Sequence, residues 1–452
     1  MRIGVFGAGY VGLVTAVCLA EMGHSLQVVE LDREKVERLN KGINTIYEPG
    51  LDELLSKNVR QGNILFSNDA AKVIRHADIL FLCVGTPPKA DGHADLSQIE
   101  MAIREIIQHS EDGDYKLVVI KSTVPVGTAQ KLKEMIRAEL KERLVHLEVA
   151  SNPEFLREGS AVNDFMHPDR IVIGAASDRA RTLLESVYAP FKCPKIITDS
   201  ATAEMIKYAS NSFLATKISF INMISDLCEE VGADVTVVAE GMGYDKRIGA
   251  DFLRAGIGFG GSCFPKDLQA FLHTGKSNGL NFALLEEVIR INEQRPVRMM
   301  NKLNILLAGV KGKRIAVLGL AFKAQTDDVR ESPSAKLIQL LKEEGASVRA
   351  TDPMAINNFK RMYGPLADDV AFFETAEEAL QGCHAAVIVT DWKCYKELDW
   401  AGLRSIMQQP VVLDTRNLLN EVVMASLNYV YESVGKANHR QVESLQKPVL
   451  SK

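Results

Sequence analysis

Residues 1–30 read MRIGVFGAGYVGLVTAVCLAEMGHSLQVVE. An apolar strand runs into Gly7, Gly9 and Gly12, a helical stretch follows, and a second apolar run, Leu26 to Val29, ends at Glu30. Each glycine answers a separate need. Gly7 permits a tight turn, Gly9 lets a pyrophosphate reach the backbone, and Gly12 lets the helix pack closely, while the helix N-terminus turns its N–H groups to the phosphates. Glu30, roughly 20 residues beyond the turn, can hydrogen-bond a ribose diol and would repel a 2′-phosphate. A lone glycine pattern is as readily a structural turn. Strand, glycines, helix, strand and acid in this order predict a dinucleotide site, with NAD favoured over NADP.

Outward from that unit, apolar runs alternate with helical patterns to about residue 195. Ile79 to Val84, Leu117 to Ile120, Leu147 to Ala150 and Arg170 to Gly174 read as strands of a doubly wound parallel sheet. Two of them end in polar loops, FLCVGTPP with Thr86 and VVIKSTVPVGT with Thr123. Ligands collect at such strand ends, so both threonines are candidate cofactor contacts, although Thr and Pro also simply make turns. From Ala203 the pattern becomes a long helix, apolar around most of its circumference, closed by Gly232 and expected to be buried. Lys207 and Asn211 share one face of it and are candidates to look onto a site. A second helical segment, Phe282 to about Leu307 with a kink expected at Pro296, would pair with it as a linker and dimer core.

Residues 313–353 repeat strand, glycine turn, helix and strand, but Phe322 and Lys323 stand where a dinucleotide loop carries small residues. Ordinary NAD binding is not expected there; some other anion is. The fold class is therefore α/β, with two Rossmann-like doubly wound parallel-sheet domains joined by a long central helical region. The expected divisions are 1–198, 199–308, 309–436 and a polar tail, 437–452, that lacks periodicity.

Between the long helices lies GFGGSCFPKD, residues 258–267. Cys263 stands in a glycine-rich loop leading into a helix, with Pro265 suited to the first helical turn and Lys266 adding positive charge, a setting that favours a thiolate. An inert packing cysteine is the competing reading. The chain has 452 residues, 46% of them hydrophobic, and a formal charge of −5, which suits a large soluble enzyme and argues against nucleic acid. An anionic substrate would need local cations, for which Lys207, Arg247, Lys266 and Lys323 are available. No transmembrane span or signal peptide is read, and seven cysteines without CxxC pairing point to a reducing cytoplasm. The nine histidines show no HxxxH pair, so no metal is expected.

GAGYVGL, IYEPGLDELL, STVPVGT, NPEFLREGSA, the helix with Lys207 and Asn211, GFGGSCFPKD and GLAFKAQTDDVRESP occur in this order. In that series, which spans nearly the whole chain, the sequence resembles the UDP-glucose 6-dehydrogenases of the UDP-glucose/GDP-mannose dehydrogenase family. The resemblance implies a four-electron oxidation of a sugar primary alcohol to a carboxylate with two NAD reduced in succession. It assigns Cys263 as the nucleophile that forms a thiohemiacetal and then a thioester, Glu154 as the base that activates water, and Lys207 with Asn211 as the groups that hold the oxyanion. Asp267 would orient the lysine or a water, and Thr123 is counted with both the catalytic and the cofactor residues.

The same resemblance gives cofactor contacts at Gly7, Gly9, Val11, Gly12, Glu30, Lys35, Thr86, Thr123, Glu158, Lys266 and Arg330. It gives a sugar-nucleotide pocket from Phe155, Leu156, Arg157 and Glu158 with Phe252, Leu253, Arg254, Ala255, Gly256 and Gly260, Lys323 at the UDP end, and Arg247 reaching in from a neighbouring subunit. Glu154, Lys207 and Asn211 count as substrate contacts too. Thr45 stands where relatives often carry proline and Glu30 where many carry aspartate; Arg157 and Arg254 fall in segments that vary, which bears on the hexose. A homodimer or higher homo-oligomer is expected. The alternatives are a sister enzyme acting on GDP-mannose or a UDP-N-acetylhexosamine, and a nucleotide-sensing protein without chemistry.

Overall fold

The computed structural model describes residues 1–89 and 91–436, so the tail expected at 437–452 lies outside the described residues. The chain divides into two compact units, Met1–Ser210 with Lys266–Asn281, and residues 211–265 with the described residues from 282 on.

The first unit is built on eight strands: β1 (Arg2–Phe6), β2 (Ser25–Val29), β3 (Ile64–Ser67), β4 (Ile79–Leu82), β5 (Tyr115–Ile120), β6 (His146–Ser151), β7 (Ile171–Gly174) and β8 (Lys195–Thr198). Their order is β3-β2-β1-β4-β5-β6-β7-β8, so the chain switches direction across the sheet between β1 and β4. Period-two alternation sends Ile3, Val5, Ile79, Phe81, Leu117 and Val119 to one core and Phe6, Leu80, Leu82, Val118 and Ile120 to another. Both faces are covered, which is why these strands read as continuous apolar runs. Burying each such side chain contributes about 1.5–3 kcal/mol, so packing rather than local propensity fixes the strands. The sheet is parallel through β6. β7 then meets β6 antiparallel at the single pair Ser151 and Gly174, and runs parallel to β8. The β6–β7 connection holds only a short helix, Ala161–Met166, and lacks the long crossover that a parallel neighbour requires.

The second unit carries β9 (Arg314–Leu318), β10 (Ser347–Thr351), β11 (Ala371–Phe372), β12 (Ala385–Ile388), β13 (Val411–Asp414) and β14 (Val430–Ser433), parallel throughout in the order β11-β10-β9-β12-β13-β14. The long helix spans Ser200–Val231, and Ala283–Leu307 continues through Pro296. The two helices pair through Ser219 Oγ donating to Val288 O (2.8 Å) and the Arg295–Asp226 and Arg298–Glu229 ion pairs at 2.6 and 3.3 Å. The expectation that the first of these helices is buried is corrected. Phe213 (66% exposed), Phe220, Met223, Leu227 and Val231 form an apolar stripe that the described residues leave uncovered. Apolar composition marks a face that wants burial and says nothing of which chain supplies the cover. Among the described residues no helix is long and apolar enough to cross a membrane.

Candidate active site

In the first unit β1 ends at Gly7, whose φ of +94° is the left-handed conformation that side chains resist. A Cβ on Gly12 would fall onto the Gly7 carbonyl oxygen, so the third glycine lets the helix Tyr10–Glu21 sit against the turn. Gly9 differs from both. Its φ is ordinary, a Cβ there would meet nothing, and it caps the helix without any side-chain acceptor. The helix therefore starts with uncapped N–H groups, among them that of Val11, and open space in front of Gly9, which suits a pyrophosphate.

Glu30 follows β2 directly. Its Oε1 accepts from the backbone N–H of Leu31 (2.8 Å) and Asp32 (3.2 Å), and Oε2 pairs with Lys35 Nζ at 2.9 Å. Burial alone would raise its titration, but the Lys35 ammonium outweighs it and the carboxyl is held below its usual range. An anion is thus ready for a diol and closed to a phosphate. Thr86, after β4, donates its hydroxyl to Thr123 O (2.9 Å), after β5, tying two strand ends together. The residues present fit NAD.

β6 leads into Asn152, Pro153 and Glu154. The Glu154 carboxylate is buried, with Oε1 on Lys207 Nζ (3.0 Å) and Oε2 accepting from Leu156 N (2.5 Å). Burial pushes its titration up, yet Lys207 overcomes this and holds the group below the carboxylate range. Phe155 lies under the Arg170 guanidinium, 3.7 Å from the ring centre, and Lys207 Nζ is 5.3 Å from the same ring. Arg157 is committed to Asp164 at 2.7 Å. The turn after Glu158 is pinned by Glu48 of IYEPGLDELL, which accepts from Gly159 N and Ala161 N, both at 2.7 Å. A cavity of about 190 Å³ adjoins these residues, lined by Glu154 to Arg157 together with Lys121, Tyr188 and Arg170. On the helix Phe264–Ser277, Lys266 pairs with buried Asp267 at 2.5 Å.

In the second unit Cys263 immediately precedes that helix, Pro265 occupies its first turn, and Ser262 Oγ lies 3.6 Å from the thiol. The loop is over-determined. Gly261 N donates to Arg330 O (2.8 Å), a Cβ on Gly260 would strike the Glu331 carbonyl oxygen, and the Phe322 ring lies against Gly261. Asn292 clamps Phe259 with its Oδ1 on the N–H (2.8 Å) and its Nδ2 on the carbonyl (3.0 Å). Of the preceding stretch, Phe252 is in the left-handed region at φ +65°, Leu253 and Ala255 are core, Arg254 is exposed, and Gly256 N donates to Asn222 Oδ1 at 2.8 Å. Asn211 is buried on the long helix, one turn after Lys207. Arg330 pairs with Asp328 at 2.7 Å, Lys323 Nζ lies 5.5 Å from the Phe322 ring centre, and exposed Arg247 pairs with Asp245 at 2.6 Å.

The amides of the second glycine turn are engaged within the chain. Leu320 N and Ala321 N donate to Asp352 Oδ2 at 2.8 and 3.0 Å, and Trp392 Nε1 reaches the same oxygen at 3.1 Å. Asp352 follows β10 just as Glu30 follows β2, but it folds back and fills its own turn. Sequence reasoning also passed over Lys121, Asn152 and Arg416. Arg416 Nε donates to Val389 O (2.6 Å), and its Nη groups reach Gly258 O (3.4 Å) and Phe322 O (3.2 Å), bracing the cysteine loop. Lys121 had a signal, a charge closing the apolar run KLVVIK.

Residues 1–192 match the NAD binding domain of the UDP-glucose/GDP-mannose dehydrogenase family, 201–294 its central domain and 316–421 its UDP binding domain. The chain is similar to two Bacillus subtilis (strain 168) proteins. UDP-glucose 6-dehydrogenase TuaD is 45% identical, covering 99% of this chain and 95% of that one, and UDP-glucose 6-dehydrogenase YwqF is 48% identical, covering 96% and 98%. Among solved structures, a UDP-glucose dehydrogenase from the archaeon Pyrobaculum islandicum superposes with a TM-score of 0.87 at 41% identity, covering 96% of this chain and 98% of that chain.

Proposed function

The chain belongs to the UDP-glucose/GDP-mannose dehydrogenase family, and from that premise we propose that it oxidises UDP-glucose to UDP-glucuronate with release of two NADH. It is an NAD-dependent dehydrogenase. NAD supplies the hydride acceptor; Gly7, Gly9, Val11, Gly12, Glu30, Lys35, Thr86, Thr123, Glu158, Lys266 and Arg330 are the residues we assign to hold it.

Loss of a hydride and the hydroxyl proton turns the C6 alcohol into an aldehyde, with the developing oxyanion stabilised by the Lys207 ammonium and the Asn211 amide. The Cys263 thiolate adds to the aldehyde carbon, and the carbonyl oxygen takes a proton. The resulting thiohemiacetal gives up a second hydride and that proton to become a thioester. Glu154 takes a proton from water as it attacks, the carbon–sulfur bond breaks, and the carboxylate leaves with the thiol restored. Asp267 orients Lys207 or a water, and Thr123 belongs to the same reaction set. Phe155 to Glu158, Phe252 to Gly256, Gly260 and Lys323 are assigned to the sugar nucleotide, and Arg247 to that of a neighbouring subunit. The chain is assigned an NAD-binding domain at 1–198, a central helical domain at 199–308, a UDP-sugar-binding domain at 309–436 and a polar tail at 437–452.

The observation that carries this reading is the buried Glu154–Lys207 pair, a carboxylate held ionised beside an ammonium at a strand's carboxyl end. The choice of sugar rests on the likeness to the Bacillus subtilis relatives. The uncovered stripe from Phe213 to Val231 supports a homodimer formed on that helix. The test is to count NADH formed per limiting UDP-glucose, with GDP-mannose and UDP-N-acetylglucosamine in parallel. Two NADH from UDP-glucose are expected. One NADH would overturn the covalent route, and turnover only with another sugar nucleotide would overturn the substrate.

A further inference from the structure

Lys121 directly follows β5 and is buried, 5% exposed. Its Nζ donates to Asn152 Oδ1 at 3.1 Å and, more weakly, to Asn152 O at 3.4 Å, and it forms no ion pair with a carboxylate among the described residues. Asn152 is held from several sides. Its N–H donates to Ile120 O (2.8 Å), its Nδ2 to Val172 O (2.7 Å), and its Oδ1 also accepts the Tyr188 hydroxyl at 2.5 Å. Three elements thus converge on one amide two residues before Glu154.

A buried ammonium without an ion partner is an expensive way to hold a turn, since a neutral amide or thioether would fill the space without desolvating a charge. Burial accordingly pushes its titration down to about 8, with Lys207 pushing the same way and Cys83 and Glu154 resisting. The charged and titratable groups facing the Glu154 carboxylate are Lys207 from the long helix and Lys121 from the end of β5. Cys83, after β4, is a thiol whose titration burial raises to about 12, so it stays neutral. Arg157, Asp164, Asp169 and Arg170 line the adjoining cavity.

The proposed reaction asks Lys207 to serve two partners. At rest it holds Glu154; while an oxyanion develops it must turn toward the substrate oxygen, and the buried carboxylate then needs another cation to stay charged. We infer that Lys121 is a positioning residue for that step: through Asn152 it fixes the turn that presents Glu154, and its charge keeps the carboxylate ionised when Lys207 is drawn away. This rests on the proposed role of Glu154.

The test is the pH profile of kcat for the full-length enzyme and the K121M, K121Q and K121R variants, with E154Q as the variant lacking the carboxylate. NADH stoichiometry of the wild type is taken first. If two NADH are not released, or if E154Q turns over normally, the parent reading fails by itself and is seen to do so. With the parent reading intact, the acid limb of kcat should move up by about one pH unit in K121M and K121Q. KM for both substrates should change less than about two-fold, and K121R should restore the wild-type limb. An unmoved acid limb in either neutral variant, or a loss of kcat equal at every pH, overturns the inference. Thermal unfolding is followed alongside. Should neither neutral variant fold, N152D, which sets a carboxylate on Lys121 and cancels its charge, is expected to give the same upward shift, and an unmoved limb there overturns it equally.

Discussion

Replacing Lys207 by Met is the most informative perturbation of this molecule, because it leaves a charge buried without its partner. The Lys207 and Glu154 side chains are 4% and 5% exposed and lie 3.0 Å apart. Breaking a buried pair from one side costs about 3–5 kcal/mol, and a folding unit of roughly 200 residues loses about 2–4 °C per kcal/mol. A fall in Tm of roughly 10 °C near pH 8 follows. The pH dependence identifies the cause. In the wild type Glu154 is held below the usual carboxylate range, so its contribution is present above that range and lost as pH falls through the folded value. Without Lys207, the Lys121 charge offsets burial only in part and the folded value rises. Stability then falls as pH increases through the carboxylate range, and the deficit shrinks toward pH 4. Melting curves for wild type, K207M, E154Q and the E154Q/K207M pair across that range measure this directly, the double variant being expected to recover most of the loss. A deficit below about 1 kcal/mol, one that does not change with pH, or a double variant no more stable than K207M would refute the reasoning.

The glycine turn separates structure from binding. G9A, whose new methyl meets only open space, should melt within about 0.5 kcal/mol of wild type yet bind NAD at least about ten-fold more weakly by titration. G12A, whose methyl lands on the Gly7 carbonyl, should lose about 1–3 kcal/mol of stability as well. G260A forces the cysteine loop off the Glu331 carbonyl and should cost a similar amount in denaturant unfolding, with turnover falling alongside. Because Lys121 titrates near 8 in the folded chain against an ordinary 10.5, the unfolded state binds more protons between those values. Stability relative to K121M should therefore rise by up to about 3 kcal/mol as pH goes from 8 to 10.5, and a flat difference would contradict the burial of a charge.

Local chemistry is legible in the order of residues along the chain. The strand, glycine turn and acid of residues 1–30, the repeat at 313–353 and the placement of Cys263 before a helix all depend on neighbours in sequence. Backbone conformation at Gly7 or the start of a helix at Phe264 is set over a few residues. The series of motifs points to the family for the same reason, since each is a short string whose spelling carries its chemistry.

Other features depend on neighbours distant along the chain, and these the sequence leaves open. Lys121 meets Asn152 and Tyr188 only once β5, β6 and the residues after the helix Asp178–Val187 are brought together, and a lysine at the end of an apolar run looks the same whether it reaches solvent or is sealed in. By its position Asp352 could be a second Glu30; only the folded turn shows its oxygen on Leu320 N and Ala321 N. The long helix is apolar enough to suggest cover on every side, but its outward stripe from Phe213 to Val231 is left bare by the described residues. Which groups must be buried or paired is a property of each side chain in water, and the sequence by itself determines that. Which partner meets the need is decided by tertiary packing.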